Sequence, residues 1–202
     1  MDAAPTRRLF LLSPANASGP RGQLLRTSRN VVLAQRLRAG DAVPLGEIFS
    51  FISGLYFRGK LVYALAFAPG ASYVITPSRG LLPPETPVTI DVLEEFGTVP
   101  IDADEPRYLA PLVRDLGRIC GAAGAEVVLL GSVASVKYTR PLLAHLGTRL
   151  VFPSTFVGRG DMSRGGVLLR ATRAGEELDY EPVAGAVLHG TRPARLVPER
   201  RP

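Results

Sequence analysis

The chain has 202 residues, of which 46% are hydrophobic and 21% charged, and this composition is typical of a globular protein with a hydrophobic core. No apolar run reaches the ~20 residues that a membrane-spanning helix needs, and residues 1–8 lack the apolar stretch of a signal peptide. The single cysteine excludes an internal disulfide, and the two histidines disfavour a zinc site. We therefore expect a cytoplasmic protein without a membrane partner, a metal or a cofactor.

The net charge of +6 is unevenly distributed along the chain. Residues 1–79 carry ten basic and three acidic side chains, whereas residues 80–106 carry seven acidic and no basic ones. The lysines number only two, so arginine supplies nearly all the positive charge. This bias reflects either the amino-acid usage of a GC-rich genome or phosphate recognition by the planar guanidinium. The acidic segment either lies away from a bound polyanion or pairs with arginines elsewhere.

The first part of the chain predicts one strand followed by helices. The apolar run Arg8–Leu12 indicates a buried strand, and the spacing of apolar residues over Gln23–Arg38 indicates a helix. Pro44 suits the first turn of a second helix. We expect that helix to break near Arg58-Gly59, before a further helix over Lys60–Phe67.

The middle of the chain alternates predicted strands and helices. Ala71–Thr76 is rich in strand-forming residues, and Glu126–Leu130 is the strongest candidate for a buried strand. The prolines within Ser78–Pro87 prevent a helix there. We also predict helices over Ile90–Phe96, Leu109–Ala122 and Tyr138–Leu146, and strands over Thr98–Ile101 and Arg149–Phe152.

The last part of the chain predicts a β-hairpin. Gly166–Arg173 and Glu177–Val183 are strand-like and flank Ala174-Gly175, a turn signal. The alternation before it predicts an α/β fold, with a mainly parallel sheet flanked by helices and a C-terminal β-hairpin. We expect a single α/β domain over residues 1–185 and a basic tail, rich in proline and arginine, over residues 186–202.

Three loops rich in hydroxyl groups, small residues and glycine follow predicted strands: Ser13–Gly19, Thr76–Leu81 and Gly131–Tyr138. Because ligands collect beyond the carboxyl ends of strands in open α/β sheets, we expect these loops to meet around a cleft that binds phosphate. The alternative is that each loop uses these residues only for turn geometry and capping. The candidate binding residues in the loops are Ser13, Ser18, Ser78, Arg79, Gly80, Ser132 and Lys137.

The segment Gly158–Gly166 contains four glycines, two arginines and an aspartate. As a mobile loop it would hold phosphates through Arg159 and Arg164, with Asp161 as a base or electrostatic stabiliser. As a plain connection it would pair Asp161 with an arginine. It does not fit a dinucleotide-binding turn, because the sequence predicts a strand after it where that motif requires a helix.

The sequence Arg58-Gly59-Lys60 places two cations next to two aromatic side chains, Tyr56 and Phe57. Stacking on aromatic rings together with phosphate contacts can hold a single-stranded or flipped nucleotide. The alternative is that the rings belong to the core and the cations are solvated.

A Ser-His-Asp triad is disfavoured. His145 and His189 are the only histidines, and the prolines after Ser78 prevent the helix that a nucleophile elbow requires. Cys120 lies on an apolar helical run, where packing is the expected role.

Several segments resemble one family in chain order. Leu12–Asn16 resembles the Ser-Pro-Ala-Lys opening of YaaA-like peroxide-stress proteins, and Ile75–Pro84 is similar to their Leu-Ser-Gly-Leu-Tyr-Gly-Leu-Leu-x-Pro segment. The segment Ile75–Pro84, preceded by Leu55–Lys60, also looks like a segment of uncharacterised small α/β proteins that are found near deazaguanine base-exchange enzymes. The resemblance covers about residues 9–90, with Asn16 at the family's lysine and Pro77-Ser78-Arg79 at its Gly-Leu-Tyr. It implies DNA binding and protection from oxidative damage.

These features predict a nucleic-acid-directed protein whose cleft accepts a nucleotide, with DNA preferred over RNA. One hypothesis is a DNA N-glycosidase, or another enzyme of N-glycosidic bonds, in which Asp161 acts on the sugar or on water and Asn16 contacts the base. A second is a DNA-binding, protective protein without catalysis. A third is an enzyme that acts on a free nucleotide or a small phosphorylated metabolite.

Overall fold

The computed structural model describes residues 8–121, 125–194 and 196. The strands are β1 (Arg8–Leu12), β2 (Val43–Pro44), β3 (Ser72–Ile75), β4 (Leu81–Leu82), β5 (Pro87–Val88), β6 (Glu126–Leu130), β7 (Leu150–Pro153) and β8 (Tyr180–Pro182). The α-helices are α1 (Pro20–Thr27), α2 (Val32–Arg38), α3 (Leu45–Ser53), α4 (Leu55–Phe67), α5 (Ile90–Thr98), α6 (Pro106–Ile119), α7 (Val136–Leu146) and α8 (Asp161–Ala174).

Six strands form one sheet in the order β4-β3-β1-β6-β7-β8, and β2 and β5 form a separate antiparallel pair. Strand β1 lies between β3 and β6 and is parallel to both, and β7 is parallel to β6. The edge strands β4 and β8 are antiparallel to their neighbours. This arrangement confirms the predicted α/β class with a mainly parallel sheet, and β7 and β8 form an antiparallel pair near the C-terminus.

The two central strands are buried on both faces. Leu9–Leu12 of β1 are at most 4% exposed, and Val127–Leu130 of β6 are fully buried. A parallel strand covered by helices on both sides requires an almost continuous apolar sequence. This requirement explains why the apolar runs predicted both strands with correct bounds.

The predicted hairpin around Ala174-Gly175 is wrong in its first arm. Residues 166–173 belong to helix α8, which ends at Gly175 in the left-handed conformation (φ 69°). The buried residues of α8 recur every three or four positions, as on one face of a helix: Arg164, Gly165, Leu168 and Ala171. The second arm is confirmed in part, since β8 covers Tyr180–Pro182 and pairs with β7. The segment Gly158-Arg159-Gly160 is therefore followed by a helix, α8, and not by the predicted strand. The predicted strand excluded a dinucleotide-binding turn at this segment, and that exclusion no longer holds.

The helix boundaries in the first part of the chain also differ from the prediction. The single helix predicted over Gln23–Arg38 is interrupted between α1 and α2. The break expected at Arg58-Gly59 does not occur, because α4 continues through it and the chain bends at Gly54 instead, with φ 64°. Thr98 ends α5, and no strand forms over residues 98–101.

Helices α4 and α8 pack against each other through two glycines. A Cβ atom on Gly59 would lie 2.8 Å from the Gly165 carbonyl oxygen, and one on Gly165 would lie 2.9 Å from the Leu55 carbonyl oxygen. Only glycine allows two backbones to approach so closely. This crossing places the N-terminal turn of α8 beside the first turns of α4.

Replacing Gly165 with alanine should destabilise the protein by about 1–3 kcal/mol, because the methyl group forces α8 away from α4. The free energy of unfolding in urea measures the effect. Gly117→Ala is the matched control, since a Cβ atom on that helical glycine would have no neighbouring atom within 4 Å, and alanine there should stabilise by about 0.5–1 kcal/mol. Equal stability of the two variants would contradict the close crossing.

Part of the predicted C-terminal tail contacts the rest of the protein. Thr191 and Pro193, both in the expected tail, lie against Gly158. The rest of that tail, residue 195 and residues 197–202, lies outside the described residues, as do residues 1–7 and Ala122, the last residue of a predicted helix. Within the described ranges, no helix combines the length and the apolarity needed to cross a membrane.

Candidate functional site

A cleft of about 770 Å³ opens beyond the carboxyl ends of the central strands. Its walls come from residues 13–21 after β1, from Pro77 after β3, from Ser132 and Ser135 after β6, and from Asp161 at the start of α8. Strand β1 has β3 on one side and β6 on the other, so the strand order reverses there. Open α/β sheets bind ligands at such a point, and the volume lies within the range of small-molecule sites.

Most of the charge and dipole at the cleft walls is positive. Three helices begin at its walls: α1 at Pro20, α7 after Ser135 and α8 at Asp161. Each helix N-terminus carries a partial positive charge and unpaired N–H groups. Arg21, Lys60 and Lys137 also line the cleft, and Asp161 is the one carboxylate among the described residues that do so.

Lys60 lies buried at the wall of this cleft, with 1% of its surface exposed. Its Nζ donates to the Ser13 carbonyl oxygen at 2.5 Å and to the Ser13 Oγ at 2.9 Å. The same nitrogen lies over the rings of Tyr56, at 4.4 Å, and Phe57, at 4.9 Å. Within the described residues no carboxylate forms an ion pair with it, so a buried amine is held by a hydroxyl, a carbonyl and two aromatic rings.

The pKa of the Lys60 ammonium is lowered to about 7. Burial is the main cause, because the charged form loses its hydration. The nearby Asp161 carboxylate opposes this shift, and the Arg164 guanidinium adds to it. Near neutral pH, Lys60 therefore exists partly as a neutral amine with a free lone pair.

The Tyr56 hydroxyl is buried against the same cleft, and its hydrogen has no acceptor among the described residues. Burial raises the pKa of this phenol, with the Arg164 charge acting in the opposite direction. The hydroxyl is therefore neutral and can still donate. Because nearly all buried polar atoms in proteins are paired, an unpaired one at a cleft wall indicates a place for a ligand atom.

Asp161 and Arg164 lie on the first turn of α8. The Asp161 side chain is 66% exposed, and its Oδ1 is 3.5 Å from the Nη1 of Arg164. Arg164 is buried, and its Nε donates to the Phe156 carbonyl oxygen at 3.2 Å. The alternative in which Asp161 pairs with an arginine is therefore confirmed, while Asp161 still faces the cleft.

The structure separates the sequence-predicted site residues into two groups. Those that line the cleft are Ser13, Asn16, Ser18, Lys60, Ser132, Lys137 and Asp161. Those that do not are Arg58, Ser78, Arg79, Gly80, Arg159 and Arg164.

The second group has other partners. Ser78 and Arg79 both bind the Glu95 carboxylate, at 2.5 Å each, and neither lines the cleft as predicted. Arg159 donates to the Thr155 carbonyl oxygen and to the Ser163 Oγ. Gly80 forms a tight turn with φ 69°, and Arg58 is exposed on α4.

The acidic segment over residues 80–106 pairs with arginines in three places. Besides the Arg79–Glu95 pair, Arg107 binds Glu105, and Arg140 binds Asp104. Of the two interpretations of this segment, the structure supports the one in which it neutralises arginines.

Sequence reasoning missed the burial of Lys60 and the position of Tyr56. The signal was present, because Tyr56, Tyr63 and Ala64 lie four residues before, three after and four after Lys60, on one apolar helix face. The break expected at Gly59 concealed this spacing. Ser135 and Tyr138 also line the cleft without having been predicted individually.

The fold and the site define an α/β protein with a cleft, lined by three cations and one carboxylate among the described residues, at the point where the strand order reverses. Among the described residues, no three His, Cys, Asp or Glu side chains come together in a way that could hold a metal ion. Comparison with protein-family models, curated proteins and solved structures found no match. The resemblance to YaaA-like proteins therefore stays a prediction.

Proposed function

We propose that this protein is an enzyme that binds a phosphorylated nucleoside in the cleft and cleaves its N-glycosidic bond. The observation that carries the proposal is the Asp161 carboxylate, whose charge acts on the buried Lys60, in a cleft whose other charged side chains among the described residues, Arg21, Lys60 and Lys137, are all cations. A site built for anion binding alone has no need of a carboxylate, which repels phosphate.

The cleft walls supply the groups that this chemistry requires. Positive charge develops at the sugar C1′ as the bond to the base breaks, and Asp161 can stabilise it. Lys137 and Arg21, with the helix N-termini nearby, attract the phosphate. Asn16 and the unpaired Tyr56 hydroxyl offer hydrogen bonds, and Phe96, Val99 and Ile101 provide an apolar wall for the base.

The arrangement of arginines favours a nucleotide enclosed in the cleft over a protein that coats DNA. Arg79, Arg107 and Arg140 are engaged by carboxylates, which compete with the phosphates of a DNA strand for these guanidinium groups. A nucleotide within a DNA strand is the second candidate substrate, because Arg21 and Lys137 are exposed where they line the cleft and could contact neighbouring phosphates.

The test measures the release of free base. The protein is incubated with ribo- and deoxyribonucleoside monophosphates and with single-stranded and duplex DNA, and released bases are separated by chromatography. We expect release from at least one substrate class, with stabilisation by the same nucleotide in thermal unfolding. Absence of both release and stabilisation across all four substrate types would overturn the proposal.

A pair of variants checks that the cleft is the binding site. Lys137→Ala should weaken nucleotide binding by about tenfold or more, because a hydrogen bond to a charged group contributes about 1.5–3 kcal/mol. Arg58→Ala removes an exposed cation outside the cleft and should bind as the wild type does. Isothermal titration calorimetry gives both dissociation constants, and equal losses in the two variants would place binding elsewhere.

A further inference from the structure

The hydrogen bonds of Lys60 leave one position of its amine unused. Nζ donates one hydrogen to the Ser13 carbonyl oxygen and one to the Ser13 Oγ. A neutral amine has two hydrogens and one lone pair. With both hydrogens donated, the lone pair is the remaining tetrahedral position of a nitrogen that borders the cleft.

Lys60 is buried, and within the described residues no carboxylate forms an ion pair with it. A buried charge is normally paired with an opposite charge, and replacement by an apolar side chain often stabilises a protein. Here the nearest relevant charges are Asp161, outside ion-pair distance, and the like-charged Arg164. Burial of a lysine away from water, at the wall of an open cleft, activates its amine as a nucleophile.

We propose that Lys60 is a covalent nucleophile that forms an imine with the C1′ carbon of a sugar phosphate held in the cleft. The choice of this sugar carbon rests on the proposed function. The Lys60 nitrogen forms a bond to C1′ as the bond from C1′ to the base breaks, and the base leaves with that electron pair and takes up one proton released by the amine. The bond from C1′ to the ring oxygen then breaks, the nitrogen lone pair forms the C=N bond, and the remaining amine proton passes to the ring oxygen, which gives the imine.

Water completes the cycle. It adds to the imine carbon, the bond from C1′ to the Lys60 nitrogen breaks, and the amine is regenerated as the sugar aldehyde leaves. The overall change is nucleotide plus water to base plus sugar phosphate. Asp161 lies where its charge stabilises the cationic iminium form, and the unpaired Tyr56 hydroxyl is the donor available to the sugar oxygen.

Reductive trapping tests this step. The wild-type protein is incubated with 2-deoxyribose 5-phosphate, which has an open-chain aldehyde, and with cyanoborohydride, which reduces an imine to a stable secondary amine. The chain contains only two lysines, so peptide mass spectrometry distinguishes Lys60 from Lys137 and the N-terminal amine. We expect at least about tenfold more adduct on Lys60 than on Lys137.

Two variants extend the test. Lys60→Arg keeps a cation but cannot form this imine, and it should show no adduct at position 60 and no base release. Ser13→Ala removes one acceptor while keeping the amine, and its adduct should still form on Lys60. The wild-type adduct site decides the proposal even if Lys60→Arg fails to fold.

The outcomes separate this inference from the proposed function. Base release without a Lys60 adduct would overturn the imine and leave the glycosidic activity in place. A Lys60 adduct without base release from any nucleotide would overturn the glycosidic activity and support the nucleophile. An adduct confined to Lys137 or the N-terminus, or no adduct, would overturn the nucleophile.

Discussion

Replacing Lys60 with methionine should flatten the rise of protein stability with pH. In the wild type the pKa of Lys60 is about 7 when folded, against an ordinary value of 10.5. Between these values the unfolded chain binds a proton that the folded chain lacks, so the free energy of unfolding increases with pH. The slope from this one group approaches about 1.4 kcal/mol per pH unit, and the methionine variant lacks it.

The measurement is urea unfolding of both proteins at intervals from about pH 6 to about pH 9. Over that range the wild type should gain roughly 2–3 kcal/mol relative to Lys60→Met. Higher pH is avoided because burial raises the pKa of the Tyr56 phenol above its ordinary value of 10. Above about pH 10 the phenol loses its proton more readily in the unfolded chain than in the folded one, so the free energy of unfolding falls. The other groups that act on Lys60, Asp161 and Arg164, are present in both proteins.

Lys137→Met is the matched control, because it removes the other lysine, which is exposed. Its stability curve should run parallel to that of the wild type. Parallel curves for Lys60→Met and the wild type would show that Lys60 keeps its charge on folding, and the cleft would then contain no neutral amine near pH 7.

Replacing Asp161 with asparagine should lower the rate of base release by about 10²–10³-fold, the range found when one electrostatic stabiliser of a transition state is removed. The loss should fall on kcat, because the charge at C1′ develops only as the bond breaks. Stability should change by less than about 1 kcal/mol, since the Asp161 side chain is 66% exposed and its ion pair with Arg164 is weak.

Asp91→Asn provides a matched control, because Asp91 is also an exposed aspartate in the first turn of a helix, α5, and does not line the cleft. It should keep wild-type kcat. Chromatographic assay of released base under substrate saturation compares the three proteins. An Asp161→Asn protein that retained wild-type kcat would refute the role of this carboxylate.

The Asp161→Asn variant also distinguishes the role of Asp161 from that of Lys60. The Asp161 charge raises the pKa of Lys60, so its removal should lower that pKa further and leave more neutral amine near pH 7. Trapping of 2-deoxyribose 5-phosphate on Lys60 should therefore persist in Asp161→Asn while the rate of base release falls.

Apolar runs predicted the two central strands of the sheet. Arg8–Leu12 and Glu126–Leu130 form strands with the expected bounds, because strands buried on both faces tolerate almost no polar residue. Parallel pairing then brings the loops after these strands to one edge of the sheet. For this reason Ser13, Asn16 and Ser132 could be expected at a common cleft, and they line it.

The sequence was less informative where one signal suits two structures. The apolar residues of Gly166–Arg173 suit a strand as well as a helix, and their helical form depends on packing against α4. Gly59, predicted to break a helix, is instead the point where α4 contacts the backbone of α8 at Gly165. A glycine that permits close approach and one that ends a helix are identical in sequence.

Local patterns along the chain were enough to establish the α/β class, the buried central strands and the loops that follow them, because burial and chain geometry act within each segment. The chemistry of the cleft arises only when the helices pack. Packing buries Lys60 against Ser13, leaves Tyr56 unpaired and pairs Arg79 with Glu95. Charge, pKa and accessibility depend on partners that are distant in the chain, and no single segment contains them.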